Sequence, residues 1–383
     1  MPKKNPLMMI PGPTPIPQSI LKAIARQPIK HRSDEFTSIM QEIYTNLKYI
    51  FQTKNDVFIF ASSGTGAMCG ALENILNPKD RILCLVTGKF GERWAEIAKL
   101  RGAEVDILSC NFGEVITPKM LQDHLSLHKP YKAITLTHSE TSTGVANDLQ
   151  SLCAIIKKTE SLCIVDGISS ICAMPCKMDE WGIDILISGS QKGLMLPSGL
   201  SFLALSAKAY EIHKKCLFPS FYFNFSLHKE ALKKNTTPFT PSINLIFGLL
   251  ESLRIIKNIG LENLYHKHKK HTFALRDAIR AMGLELFVKD DAHASYATTS
   301  IIPPNGIKAQ DIIKHLQENY NIIIASGQQE LEEKIFRIGT LGYIHNEDLI
   351  QTITALEQTL QSLGYKFENK IGTQTLLEKL KMP

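Results

Sequence analysis

Lys192 is the residue whose position and neighbours most directly indicate chemistry. It lies in the segment Ser188-Gly-Ser-Gln-Lys-Gly193, which follows an apolar run and surrounds the lysine with small residues. A lysine in a pocket at the end of a strand can form a Schiff base with an aldehyde cofactor, because desolvation and neighbouring charge keep its amine reactive. The alternative is a solvated loop lysine, since most lysines are surface charges.

Asp166 is the second candidate, at the end of the apolar run 162–166. In an open parallel sheet, ligands bind at the carboxyl ends of the strands, so Asp166 and Lys192 can project into one crevice. A buried aspartate needs a positive partner, and the protonated nitrogen of a pyridine ring would supply it. The alternative is that Asp166 caps the turn that follows.

A glycine-rich turn, residues 61–66, contains Ser63, Gly64 and Thr65 and precedes a helix predicted from apolar residues at 68, 71, 72 and 75. Free backbone N–H groups, two hydroxyls and the positive end of the helix dipole would together bind a phosphate. Such turns are common. This one lacks the GK[ST] of a P-loop and the full GxGxxG of a dinucleotide fold, which counts against ATP or NAD.

The elements that must position these residues follow an α/β pattern. Short β-rich runs at 57–60, 81–86, 133–137, 162–166, 184–188 and 202–205 alternate with helical patterns, which predicts a parallel sheet wrapped by helices. A long helix is predicted at 243–259, followed by strands at 300–302, 322–325 and 335–338 and helices at 309–318 and 348–363. We therefore predict an N-terminal arm (1–15), a large domain (16–258), a small C-terminal α+β domain (259–365) and a polar tail (366–383) that ends in a short helix.

The amino-acid composition excludes several classes of protein. The 383 residues are 44% hydrophobic and 21% charged, as in a globular protein of two domains. The net charge of +6 is spread along the chain, so nucleic-acid binding is not expected. Without an 18-residue apolar run we expect no membrane-spanning helix. The eight cysteines form no CxxC pair, and we interpret them as buried, reduced thiols of a cytoplasmic protein without a metal site.

A phosphate cradle, a carboxylate for a pyridine nitrogen and an aldehyde-capturing lysine together describe pyridoxal 5′-phosphate. The chain resembles the class V aminotransferases of pyridoxal-phosphate fold type I, the group that includes alanine–glyoxylate and serine–pyruvate aminotransferases. The resemblance covers nearly the whole chain and rests on segments 11–13, 31–36, 63–65, 88–94, 138–144, 166, 191–192 and 336–339. It implies a mostly parallel seven-stranded sheet wrapped by helices, with pyridoxal 5′-phosphate as the cofactor.

The resemblance also implies roles for individual residues. Phe90 matches the aromatic residue that stacks on the pyridine ring, although a phenylalanine is more often plain core. Thr141 matches the hydroxyl residue near the ring oxygen, and Gln191 would help to bind the phosphate. Arg337 lies in an apolar strand, which is costly unless it meets an anion, so we assign it the α-carboxylate of the substrate. A structural salt bridge is the alternative for Arg337.

Two further assignments depend on the substrate or on a second subunit. Family members are homodimers with a shared active site, and Thr240 resembles the partner's contact to the phosphate. His31 and Arg32 resemble the segment by which phosphoserine aminotransferases bind the substrate phosphate. They could instead begin a helix, with Ser33 as its cap.

The function implied is transfer of an amino group from serine or alanine to pyruvate or glyoxylate by a ping-pong mechanism, with Lys192 moving the proton. Phosphoserine:2-oxoglutarate transamination is the first alternative. A cysteine desulfurase would need a nucleophilic cysteine in the C-terminal region, and none follows Cys216. The last alternative is a non-catalytic or hydrogenase-associated subunit, since some close relatives carry that label.

Overall fold

The structure is a computed structural model that describes residues 5–382; residues 1–4 of the predicted arm and Pro383 of the predicted tail lie outside this range. The strands are β1 (Leu7–Met8), β2 (Asp56–Phe60), β3 (Arg81–Val86), β4 (Glu104–Ser109), β5 (Ala133–Thr137), β6 (Ser139–Glu140), β7 (Val145–Ala146), β8 (Leu162–Asp166), β9 (Ile185–Gly189), β10 (Ser201–Leu205), β11 (Glu285–Leu286), β12 (Thr298–Ile302), β13 (Ile322–Ile323), β14 (Ala325–Ser326) and β15 (Phe336–Gly339). The helices are α1 (Gln18–Ile24), α2 (Asp34–Phe51), α3 (Gly64–Glu73), α4 (Lys89–Leu100), α5 (Pro118–Leu127), α6 (Leu149–Ile156), α7 (Met178–Trp181), α8 (Ala207–His213), α9 (Phe225–Leu232), α10 (Ile243–Ile259), α11 (Leu261–Ala281), α12 (Ala309–Tyr320), α13 (Asn346–Ser362) and α14 (Ile371–Lys381).

A seven-stranded sheet in the order β2-β10-β9-β8-β5-β3-β4 forms the centre of the part of the chain predicted to be the large domain. Every pairing in it is parallel except the two made by β10. This confirms the predicted α/β fold and its mostly parallel sheet. All six predicted strands are present, but β4 was not predicted, because it lies at the edge and its polar residues are partly exposed.

The central strands are buried on both faces, so alternate side chains enter different cores. In β3, Leu83 and Leu85 pack into one hydrophobic cluster, whereas Ile82 and Cys84 pack into the cluster on the other face. The first cluster is covered by α2, α6 and α10, and the second by α3 and α4. Parallel strands of this kind end at one edge of the sheet, where loops after β8 and β9 carry the candidate residues.

The C-terminal part of the chain has its own four-stranded antiparallel sheet, in the order β11-β12-β15-β14. Helices α11 to α14 enclose a separate core on this sheet. Within the predicted tail, α14 buries Leu376 and Leu380 in that core, and the Glu357 carboxylate accepts hydrogen bonds from Gly372 and Thr373 at the start of α14. The domain boundaries at 16, 259 and 366 stay a prediction.

The N-terminal segment joins the two parts of the molecule. Its strand β1 pairs with β13, and Met9 lies in the C-terminal core. The chain then runs past the end of β9, where Thr14 N donates a hydrogen bond to the carbonyl oxygen of Gln191 at 3.2 Å. Among the residues described, no helix is long and apolar enough to cross a membrane.

The cysteines only partly follow their prediction. All eight are free, and five of them are buried, but Cys69, Cys110 and Cys216 are half-buried. Each of these three lies close to the surface of the large domain, where an apolar neighbour in sequence does not guarantee full burial.

Candidate active site

Lys192 lies three residues beyond β9 and is only 9% exposed. Its Nζ donates a hydrogen bond to the carbonyl oxygen of Pro11 at 2.7 Å, and Thr14 Oγ1 donates to the carbonyl oxygen of Lys192 at 3.2 Å. Burial lowers the pKa of the Lys192 amine to about 8, and the nearby charge of Arg337 acts in the same direction. At pH 7 roughly a tenth of the amine is therefore unprotonated and nucleophilic, far more than for an ordinary lysine.

Asp166 is the last residue of β8 and is 3% exposed. One carboxylate oxygen accepts a hydrogen bond from Ile168 N at 2.8 Å, as expected for a residue that also begins a turn. Burial raises the pKa of Asp166 to about 7, while Lys192 and Arg93 oppose the rise. None of the ion pairs within residues 5–382 involves this carboxylate, so a cationic ligand would be stabilised beside it.

The glycine-rich turn forms the start of α3. Ser63 is the N-cap residue, but its side chain makes no capping hydrogen bond, so its hydroxyl and the N–H groups of Gly64 and Thr65 are available to a ligand, whereas Gly66 N donates to the Ser63 carbonyl oxygen. A Cβ atom at Gly64 would lie 2.5 Å from Cδ1 of Ile168, which explains the glycine at this close approach. Gln191 Oε1 is buried without a hydrogen-bond partner in the described chain.

Phe90 and Glu140 meet at the start of α4. The Glu140 side chain is fully buried, and its Oε2 accepts hydrogen bonds from Phe90 N and Gly91 N, both at 3.1 Å. Its Oε1 accepts from the Ser142 backbone at 3.2 Å and from the Ser142 hydroxyl at 2.5 Å. A carboxylate at a helix N-terminus is favourable, and here it fixes the backbone that carries the Phe90 ring.

Arg337 lies on β15 and is 6% exposed. Its Nε donates to the carbonyl oxygen of Ser326 at 2.8 Å and its Nη1 donates to that of Thr141 at 2.5 Å. Burial lowers the pKa of Arg337 to about 10, and the charge of Glu140 opposes the change. No ion pair of Arg337 occurs within the described chain, so this buried guanidinium still lacks an anion.

Most of the predicted site residues line one cavity, which is open to solvent and has a volume of about 740 Å³ including that opening. The predicted residues in its wall are Ser63, Gly64, Thr65, Phe90, Asp166, Gln191 and Lys192. Thr141 is buried and Arg337 acts electrostatically on Lys192, but neither lines the cavity itself.

Several residues of the cavity wall had no role assigned from sequence, among them Gly12, Pro13, Arg93, Ser139 and Ser198. Arg93 follows Phe90 by three residues, so the two side chains share one face of α4. That spacing was visible in the sequence and could have identified Arg93. Nothing local in the sequence brings Gly12 next to Lys192, because the contact joins distant parts of the chain.

Three predicted residues lie away from this cavity. Thr240 borders a separate, small depression together with Tyr222 and His228, and Arg32 borders another one with Lys234. His31 is half-buried just before α2, and Ser33 caps this helix by accepting from Phe36 N at 3.2 Å. Within one protomer, therefore, Thr240, His31 and Arg32 do not line the cavity that contains Lys192.

The residues present fit the expected cofactor, pyridoxal 5′-phosphate. The uncapped start of α3 offers backbone donors for a phosphate, and Gln191, which lines the same cavity, has an amide NH2 group that can donate to it. The unpaired carboxylate of Asp166 suits a protonated ring nitrogen. The amine of Lys192, in the same cavity, suits an aldehyde.

Comparison with known proteins agrees with this geometry. The sequence model of the family described as aminotransferase class-V matches residues 9–348. The chain is 41% identical over 362 residues to a protein of Synechococcus sp. (strain PCC 6716) named soluble hydrogenase, small subunit, with 94% of each chain covered. It is 34% identical to the serine–glyoxylate aminotransferase of Arabidopsis thaliana, covering 94% of this chain and 91% of that protein.

Among solved structures, the ureidoglycine–glyoxylate aminotransferase of Bacillus subtilis superposes with a TM-score of 0.94 at 29% identity, over 100% of both chains. The family match, the similar sequences and this superposition all extend over nearly the whole molecule. The chain is a transaminase and belongs to the class-V aminotransferase family.

Proposed function

We propose that this transaminase binds pyridoxal 5′-phosphate and transfers an amino group from serine or alanine to glyoxylate or pyruvate by a ping-pong mechanism. The observation that carries the proposal is one cavity in which Lys192, Asp166 and the start of α3 face each other. Arg337, a buried guanidinium without an ion pair in the described chain, lies close enough to Lys192 for its charge to lower the pKa of that amine. The class-V family is pyridoxal-phosphate dependent, which supports the cofactor.

In the proposed complex, Ser63, Gly64, Thr65 and Gln191 bind the phosphate and Phe90 covers one face of the ring. When bound, the cofactor supplies an electron-withdrawing ring that accepts the electron pair left at Cα of the amino acid. Asp166 keeps the ring nitrogen protonated. Its carboxylate is buried and has no ion-pair partner in the described chain, so a positive charge beside it is stabilised.

Lys192 is the proposed general acid–base group. Its amine takes the proton from Cα of the amino acid and returns a proton to complete the transfer. The pKa of about 8 places both protonation states within reach near neutral pH, as proton transfer in both directions requires. The Pro11 carbonyl oxygen, which accepts a hydrogen bond from Nζ, orients the amine between these events.

Arg337 binds the α-carboxylate of both substrates. Two of its nitrogens are held by the carbonyl oxygens of Ser326 and Thr141, so the guanidinium is oriented before the substrate arrives. Nη2 has no hydrogen-bond partner within residues 5–382, which leaves it for an incoming carboxylate.

The position of His31 and Arg32, the predicted site for a substrate phosphate, favours small substrates over phosphoserine. Phosphoserine needs cations for its phosphate as well as for its carboxylate. The predicted pair, His31 and Arg32, lies away from the cavity of its own protomer, and Ser33 caps α2 there. Two similar proteins are named for glyoxylate as a substrate, which supports the choice of acceptor. Phosphoserine:2-oxoglutarate transamination stays the alternative, with His31 and Arg32 reaching a partner's cavity.

A homodimer is proposed from an exposed apolar surface. Leu217, Phe218 and Phe221 are 69%, 64% and 76% exposed and lie close together in sequence, next to Tyr222, which is also exposed. A soluble monomer rarely leaves so many large apolar side chains uncovered in one segment. Thr240 lies beside Tyr222, so a second copy seated here would bring Thr240 towards a shared site.

The name of the Synechococcus relative raises a non-catalytic alternative. In the part of the chain that is described, the single group of side chains with metal-binding spacing is Asp106, His124 and His128. This group contains no cysteine, whereas iron–sulfur clusters are held by cysteine thiolates. A non-catalytic subunit would have no need for the reactive amine of Lys192 beside Asp166.

The test is a half-reaction screen on the purified protein loaded with pyridoxal 5′-phosphate. Serine, alanine, phosphoserine, glutamate and aspartate are added separately, and conversion of the cofactor to pyridoxamine 5′-phosphate is followed by absorbance. We expect rapid conversion by serine or alanine and none by phosphoserine. Rapid conversion by phosphoserine and glutamate would establish the alternative, and failure to bind the cofactor would contradict both.

A further inference from the structure

Arg93 joins two walls of the cavity that carries Lys192. It extends from α4, and its Nη1 donates a hydrogen bond to Thr65 Oγ1 at 3.2 Å. The centre of its guanidinium lies 4.9 Å from the centroid of the Phe90 ring, which is within range of a cation–π contact. One side chain therefore touches both the hydroxyl at the start of α3 and the aromatic ring on α4.

The charge of Arg93 is not used to stabilise the fold through an ion pair. Among the ion pairs of residues 5–382, none includes Arg93, whereas its neighbour Glu92 pairs with Lys89. Arg93 lines the cavity together with Asp166, and its positive charge lowers the pKa of that carboxyl against the larger effect of burial. A half-buried cation placed this way raises the positive potential where an anionic ligand would bind.

We propose that Arg93 is a positioning residue for the cofactor, holding Thr65 and Phe90 in one geometry and adding positive charge between the phosphate cradle and Asp166. The inference rests on the proposed function, because it concerns the same bound group. Arg93 acts through its two neighbours: it fixes the Thr65 hydroxyl towards the cradle and limits rotation of the Phe90 ring. Its planar guanidinium makes both contacts at once, which a lysine ammonium cannot do.

A purely structural role predicts a different result. In that case, removing the side chain would lower the stability of the apoprotein without changing how the cofactor is held. A positioning role predicts weaker binding of the cofactor and a less fixed ring, even where the apoprotein unfolds at an unchanged temperature. The two roles are separated by measuring binding, ring environment and stability on the same variants.

The experiment compares the wild type with Arg93→Gln, Arg93→Lys and the control Lys99→Gln. Lys99 is an exposed cation on the same helix, so its substitution removes equal charge away from the cavity. Apoprotein is titrated with pyridoxal 5′-phosphate to obtain Kd, and visible circular dichroism of the saturated protein reports the ring environment. Thermal unfolding of each apoprotein controls for folding.

We expect Arg93→Gln to raise the Kd roughly 10- to 100-fold, as for the loss of a hydrogen bond from a charged group. The visible circular dichroism at saturation should decrease, Arg93→Lys should restore binding only in part, and Lys99→Gln should match the wild type. In a double-mutant cycle, Thr65→Val and Arg93→Gln should be less than additive, because they break the same contact.

The outcomes separate this inference from the proposed function. If the wild type does not bind the cofactor, the proposed function fails first. If the wild type binds it and Arg93→Gln binds equally well with unchanged circular dichroism, the inference about Arg93 is overturned alone. Should Arg93→Gln not fold, Arg93→Lys decides, and a Kd equal to that of the wild type would overturn the inference.

Discussion

The Nζ atom of Lys192 donates a hydrogen bond to the carbonyl oxygen of Pro11, across 181 residues of sequence. Gly12, which follows Pro11, has a φ of +138°. A Cβ atom at Gly12 would lie 2.7, 2.8 and 2.9 Å from Cδ, Nζ and Cε of Lys192. The N-terminal segment therefore forms part of the wall around the reactive amine. Its path depends on a residue without a side chain.

Gly12→Ala should disturb Lys192 directly. The new methyl group would collide with the lysine side chain, and the backbone conformation is strained for any residue other than glycine. We expect a fall of roughly 10-fold or more in kcat/KM, since small displacements in an active site are costly. Gly306→Ala is the matched control, because it also has a positive φ of 86° but no atom within 4 Å of the added Cβ. Equal effects of both variants on kcat/KM would rule out the contact with Lys192.

The rate at which the apoprotein captures pyridoxal 5′-phosphate should depend on pH through Lys192. Burial, and then the charge of Arg337, lowers the pKa of this amine to about 8, so capture should accelerate as the pH rises through that value. Arg337→Gln removes a repelling charge, which favours the protonated amine and should move the profile to higher pH. Stopped-flow absorbance across the pH range measures both profiles. A profile that does not move in Arg337→Gln would contradict the electrostatic link.

Asp166→Asn should stabilise the apoprotein at alkaline pH. Burial raises the pKa of Asp166 in the folded protein to about 7 from its ordinary value of 3.8, so between pH 3.8 and pH 7 the folded state holds a proton that the unfolded chain has lost. The free energy of unfolding therefore falls as the pH rises from about 4 to about 7. Above about pH 7 the full loss, up to about 4 kcal/mol, is present.

Asparagine removes this cost and can still accept the hydrogen bond from Ile168 N. We expect a higher Tm for apo Asp166→Asn than for the wild type at about pH 8, with the difference disappearing towards about pH 4. The same variant should bind the cofactor poorly, because it lacks the charge for the ring nitrogen. A lower Tm than the wild type at alkaline pH would show that the apoprotein stabilises the ionised carboxylate by another contact.

Glu140→Gln should weaken the connection between α4 and the loop after β5. One acceptor oxygen becomes an amide nitrogen, so two of the donors on Phe90, Gly91 and Ser142 lose their partner. We expect the free energy of unfolding to fall by about 1–3 kcal/mol, the usual cost of unsatisfied buried groups. Denaturant unfolding measures it, with the exposed Glu96→Gln on the same helix as control. An unchanged free energy would mean that water or a side-chain rotation replaces these bonds.

Apolar runs predicted the buried strands well, since a parallel sheet covered on both faces leaves a continuous hydrophobic signal in each strand. The edge strand β4 escaped prediction because Glu104, Asp106 and Ser109 interrupt its apolar pattern. Helix α14 lies in the predicted polar tail. Its buried Leu376 and Leu380 are too few to indicate packing, and only the tertiary structure supplies α11 and α13 as partners.

Within the site, short motifs at the ends of strands were enough to predict that Lys192, Asp166 and the start of α3 would face one cavity. The contact between Gly12 and Lys192 could not be predicted from the sequence, because it depends on the path of the N-terminal segment. Glu140 gave a weak signal, a single carboxylate in a hydroxyl-rich segment, but its role depends on the backbone of α4. The roles of Thr240, His31 and Arg32 stay predictions, since they require a second subunit.

Identification of the lysine that carries the cofactor tests the central claim most directly. Borohydride reduction of the protein loaded with pyridoxal 5′-phosphate fixes the cofactor on that lysine, and peptide mass spectrometry then locates it. We expect the added mass on the peptide that contains Lys192, and no labelling of Lys192→Ala at that peptide. A label confined to another lysine, or no label in a protein saturated with the cofactor, would contradict the account.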